Sequence, residues 1–86
     1  VRVAISEKAE KDLDDMEPAL RKFFFKHIEK ISQMPPRRHM RFGLPYNVED
    51  VTKAARLVYY TENETLFILR CFSRHKEYEK WYMLFR

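Results

Sequence analysis

The sequence is poor in the residues that make special loops and covalent frameworks. It contains one Gly, Gly43, in 86 residues. A Gly-rich phosphate cradle is therefore excluded, and regular helices and strands must make up most of the chain. One Cys excludes an internal disulfide framework and any multi-Cys zinc site, and Cys71 lies within an apolar run where a buried, reduced thiol is expected. No apolar stretch nears the roughly 20 residues that cross a bilayer, and no signal-peptide pattern opens the sequence. A cytoplasmic protein with no membrane partner is the expectation. His27, His39 and His75 show no metal-ligand spacing, and no Ser or Cys stands beside a base of its own. No metal or cofactor is expected, and metal-dependent hydrolysis and acyl transfer are disfavoured.

What is present is apolar and basic. Hydrophobic residues make up 45% and aromatics 15%, which argues against disorder, and 17 basic against 13 acidic residues give a net charge of +4. That balance suits a polyanionic partner without demanding one. The length suits one domain spanning 1–86.

Val1 to Ile5 alternates with period two, predicting a short half-buried strand. Ser6 is placed to cap a helix through Ala9, Leu13 and Met16. Pro18 ends that helix and starts another, which runs to about Gln33. Leu13, Leu20, Phe24, Ile28 and Ile31 are the expected contacts of this helical hairpin on a sheet. Pro35-Pro36 breaks the pattern, and alternating residues over 37–44 are compatible with a strand. Tyr46 to Asp50 reads as a polar interruption. Then come two apolar runs, AARLVYYT and TLFILRCF, with a hairpin turn expected at Glu62-Asn63. Tyr78, Trp81, Tyr82 and Phe85 recur at helical spacing in a short last helix. The whole predicts an α+β fold: a small antiparallel-dominated sheet, an N-terminal helical hairpin on one face and a short C-terminal helix.

The chemistry-bearing residues gather around the hairpin. Arg56 opens one strand, Arg70 interrupts the other, and Arg74, His75, Lys76 and Tyr78 follow it. Such a metal-free set suits cleavage of RNA by its own 2′-hydroxyl. A base takes the 2′-OH proton, an acid protonates the leaving 5′ oxygen, and guanidinium groups meet the charge on phosphorus. Plainer readings stand beside this one. Arg56 is equally well a surface residue, the aromatic stripe is core packing, and Arg37-Arg38 is as readily a solvated loop as an RNA contact.

Arg56-Leu57-Val58-Tyr59, the acidic hairpin and Arg74-His75-Lys76-Glu77-Tyr78, in that order, resemble the RelE/ParE superfamily of type II toxins. The resemblance implies a ribosome-dependent endoribonuclease that cuts mRNA without metal and is restrained by a cognate antitoxin, with DNA reached indirectly through that partner. It implies Arg56 on the scissile phosphate, Arg74 and His75 in charge stabilisation or proton transfer, and Tyr78 stacking on or polarising the substrate. Lys53 lies near the family's basic residues ahead of the strand arginine. The segment VEDVTKAAR departs from the family there, so Glu49 or His75 is the substitute general base. Arg37, Arg38, Arg41, Arg70 and Lys76 are the expected RNA contacts. The ParE branch, which poisons DNA gyrase, and an inactive member that binds RNA or a partner are the alternatives.

Overall fold

A computed structural model of the chain describes residues 2–33 and 46–84. The strand considered over 37–44 and the expected RNA contacts Arg37, Arg38 and Arg41 lie outside the described residues, as does Phe85. The elements are β1 (Arg2–Ile5), α1 (Glu7–Asp14), α2 (Pro18–Ser32), β2 (Asn47–Asp50), β3 (Arg56–Glu62), β4 (Thr65–Phe72) and α3 (His75–Met83).

Local chemistry sets most of these boundaries. Ser6 caps α1, its Oγ accepting the Ala9 N–H at 3.0 Å, while Glu7 and Glu10 sit in the turn where the helix dipole favours anions. Pro18 occupies the first turn of α2, where a missing N–H costs nothing. Arg21 closes the gap between the helices, donating through Nε to the Leu13 carbonyl at 2.8 Å and through Nη2 to that of Met16 at 3.1 Å. The Leu13 carbonyl also accepts the Met16 N–H at 3.4 Å, and Arg21 adds a charged donor where the last carbonyls of α1 have no following helical turn.

Among the described residues the strands form a four-stranded sheet in the order β1-β4-β3-β2, with β1 parallel to β4 and the other pairs antiparallel. β2 occupies the segment expected to be a polar interruption. Asn, Glu and Asp are poor strand formers, but pairing with β3 from Asn47↔Tyr59 to Asp50↔Arg56 overrides that preference. The hairpin turn also sits one residue later than expected. Glu62 pairs with Thr65, and Asn63 and Glu64 turn the chain with φ of 49° and 60°. Both central residues of such a turn need positive φ, which a Glu does not advertise. β1 departs from its expected half-buried alternation, since Val3 is 44% exposed on this edge strand.

Alternate residues of β3 serve two apolar clusters. Leu57 and Tyr59 join Leu13, Phe24, Ile28 and Ile31 under the helical hairpin, with Leu20 partly buried against them. Val58 points the other way, toward Phe72, Tyr78 and Tyr82, so α3 covers the opposite face. A bulge re-aims β4 between these faces. Val58 pairs with Arg70 but Tyr59 with Ile68, leaving Leu69 as the extra residue. Leu66, Ile68 and Cys71 consequently share the helical-hairpin side, while Leu69 and Phe72 turn to α3.

Candidate functional site

On the α3 side of the sheet, the end of β3 carries a cross-strand row. Asp50 of β2 stands opposite Arg56 of β3, and Phe72 of β4 flanks Arg56 on its other side. The Arg56 guanidinium is held by several partners. Nε lies 3.0 Å from Asp50 Oδ1, and Nη1 donates to the carbonyls of Thr52, Lys53 and Ala55 at 3.2, 3.1 and 3.0 Å. Thr52 organises the connecting loop as its Oγ1 accepts the Ala55 N–H at 3.0 Å. The loop thus grips Arg56 by its own carbonyls, leaving the side chain 15% exposed beside a half-exposed Asp50. A charged donor fixed in this way meets a developing anion with little reorganisation.

The junction after β4 supplies the remaining groups. Arg74, extended at φ −129° and ψ 138°, is the N-cap of α3, and its carbonyl accepts the N–H groups of Glu77 and Tyr78. Its side chain and that of Lys76 are exposed. His75 opens the helix about half exposed, with Nε2 3.6 Å from Glu79 Oε1 one turn on. Tyr78 is packed as a core ring, 7% exposed, with centroids 6.0 Å from Phe72 and 5.8 Å from His75. Arg56 is thus linked to His75 through the buried rings of Phe72 and Tyr78. Lys53 is exposed on the loop, where its carbonyl rather than its ammonium engages Arg56.

Two expected residues lie elsewhere. Glu49 is on the helical-hairpin side, opposite Leu57 in register and 3.9 Å from His27 Nδ1. Neighbouring strand residues face opposite sides of a sheet, so Asp50 and not Glu49 shares the face of Arg56. Arg70 is gripped by Asp12 of α1, Nε to Oδ2 at 2.8 Å and Nη2 to Oδ1 at 3.0 Å. Those hydrogen bonds hold its pKa above the ordinary arginine value, against the effect of partial burial.

Sequence reasoning passed over Asp50, Asp12 and Phe72. A signal for Asp50 was present: an acid and an arginine flank a short loop containing Thr52 between β2 and β3, a spacing that places them across a hairpin. Asp12 had no local signal, because its partners lie 58 and 59 residues away. Cys71 is buried as expected, and desolvation pushes its thiol from an ordinary 9.0 up to about 12. It is a neutral core group. Among the described residues, no group of three or more His, Cys, Asp and Glu side chains is placed to hold a metal ion. No described helix is long and apolar enough to cross a membrane.

No family model matches the sequence, and no curated protein matches it. Solved structures do match its fold. The intact RelBE toxin–antitoxin complex of E. coli contains a chain that superposes with a TM-score of 0.73 at 16% identity, covering 83% of this chain and 93% of that one. For the YoeB/ParE toxin from Agrobacterium tumefaciens the TM-score is 0.71 at 12% identity, over 84% of this chain and 96% of that one. The RelBE2 toxin–antitoxin complex of Mycobacterium tuberculosis gives 0.70 at 22% identity, over 86% and 91%. At these identities the likeness is one of fold, and the chain has the RelE-like toxin fold.

Proposed function

We propose that this protein is the toxin of a type II toxin–antitoxin pair and cuts mRNA on the ribosome by 2′-hydroxyl attack on the adjacent phosphate. One observation carries the reading: a carboxylate and a fixed guanidinium share one sheet face, and an imidazole at the start of α3 is joined to them through Phe72 and Tyr78. Asp50 is half exposed and takes the 2′-OH proton. The 2′ oxygen bonds to phosphorus while Arg56, preset by the loop carbonyls, meets the charge on the phosphoryl oxygens. His75 in its protonated form gives a proton to the departing 5′ oxygen, and the P–O5′ bond breaks. The products are a 2′,3′-cyclic phosphate and a 5′-hydroxyl, so atoms and charge balance without a cofactor. Arg74, Lys53 and Lys76 draw in the RNA backbone, and Tyr78 holds His75 from beneath.

The partners that follow are a cognate antitoxin, the ribosome and its message, in the cytoplasm. A ribosome programmed with a message carrying one 2′-deoxynucleotide at the cut position tests the chemistry. Cleavage is expected at the all-ribose position and lost at the deoxy one. Equal cleavage of both contradicts 2′-hydroxyl attack.

A further inference from the structure

β1 ends at Ile5, paired with Ile68, so among the described residues the rest of β4 has no strand partner on that side. α1 closes this edge instead. The Ser6 N–H donates to the Ile68 carbonyl at 3.0 Å, Ser6 Oγ donates to that of Leu69 at 2.8 Å, and the Cys71 N–H donates to Asp12 Oδ2 at 3.0 Å. The same Asp12 carboxylate takes Arg70 in a two-point grip, the geometry in which a guanidinium is oriented as well as attracted. Arg70 in turn lies 4.7 Å over the Phe72 ring, and Phe72 packs against Tyr78 and Trp81 at 6.0 and 5.6 Å. One carboxylate therefore fixes both the backbone at Cys71 and the cation covering Phe72, just before the chain delivers Arg74 and His75.

We propose that Asp12 is a positioning residue, acting through Arg70 and the Cys71 N–H to hold the β4–α3 junction where His75 and Arg74 work beside Arg56. The proposal rests on the ribonuclease reading, and it makes Arg70 part of this brace rather than an RNA contact. Asp12 and Arg70 neutralise one another, with side chains 17% and 24% exposed. They also line a cleft of about 570 Å³ together with Phe72 and Trp81. Trp81 is the one tryptophan of the chain, so its emission reports on the junction whether or not RNA is cut.

The test measures thermal melts, Trp81 emission and single-turnover cleavage on programmed ribosomes for wild type, Asp12→Asn, Arg70→Gln and the exchanged pair Asp12→Arg/Arg70→Asp. Both single variants are expected to fold and to shift Trp81 emission. Their maximal rate should fall on the order of 10-fold, as for a modest misplacement of reacting groups. Half-saturation should change by no more than about threefold, since all the cations that attract the RNA remain and Lys53 lies on a loop outside the junction. Partial recovery of rate in the exchanged pair supports the brace. If Asp12→Asn tightens ribosome binding and Arg70→Gln weakens it at unchanged maximal rate, Arg70 is an RNA contact and the proposal fails. A lowered melting temperature with unchanged rate and emission makes the pair a stability strut, and the proposal fails again. Wild-type protein that cuts no message removes the ribonuclease reading and this proposal together, whereas variants as active as wild type remove the proposal alone.

Discussion

At the scale of single residues, the pleat of β2 decides which acid belongs to the site. Glu49 and Asp50 are adjacent in sequence and on opposite faces of the sheet. Asp50→Asn is expected to lower the cleavage rate by about 10²-fold, within the range for loss of a general base, while Glu49→Gln leaves it near wild type. Single-turnover primer extension with the two variants checks this, and the reverse order would return the base role to Glu49. Tyr78 separates ring from hydroxyl in the same way. Its burial predicts that Tyr78→Ala costs about 3–5 kcal/mol of stability and that Tyr78→Phe costs far less, by urea titration. Cys71 supplies a pH prediction. Its folded pKa, about 12, lies above the ordinary 9.0, so the thiol's contribution is fully present below pH 9 and is lost as pH rises toward 12. Unfolding free energy should therefore fall more steeply above pH 9 in wild type than in Cys71→Ala. Parallel slopes would show that the thiol ionises as freely in the fold as in the unfolded chain. Arg56 and the basic group after β4 could be singled out from residue type and position. Asp50's partnership could not, because facing depends on a register that only the pairing of β2 with β3 determines.

Elements were readable where their signals are local. The Ser6 cap, the Pro18 restart and the apolar stripe of α2 all act within a turn or two, and the corresponding boundaries fall where expected. β2 was missed because a four-residue edge strand of Asn, Val, Glu and Asp owes its structure to its neighbour. The hairpin turn was misplaced by one residue for a related reason: Glu64 is held at φ 60° by the ladder on both sides, against its own preference. That strain gives a prediction at this scale. Glu64→Gly should relieve about 1 kcal/mol and raise the melting temperature by roughly 4–8 °C, with no change in register. A lowered melting temperature would mean that the Glu64 side chain contributes more than its backbone costs. The bulge at Leu69 belongs here too. It had no sequence signal, yet it sends Cys71 into the core and brings Phe72 beside Arg56.

For the whole molecule, the sheet separates two tasks. Among the described residues its helical-hairpin face buries the larger core, and its α3 face carries the row Asp50, Arg56 and Phe72, with Tyr78 and His75 of α3 packed next to it. With a net charge of +4 and exposed cations at Lys53, Arg74 and Lys76, ribosome association should weaken steeply as salt rises. Filter binding across ionic strength reads this directly, and a flat profile would point to an uncharged docking surface. The proposed role of Arg56 is to stabilise the phosphoryl charge during cleavage of a ribosome-bound message, and primer extension on programmed ribosomes reads it with wild type and Arg56→Ala at matched, saturating protein. Wild type is expected to give discrete cuts and the variant a rate lower by on the order of 10²–10³-fold, with ribosome binding largely retained. Equal cutting by both proteins, or no cut by either while both still arrest growth, would contradict this role.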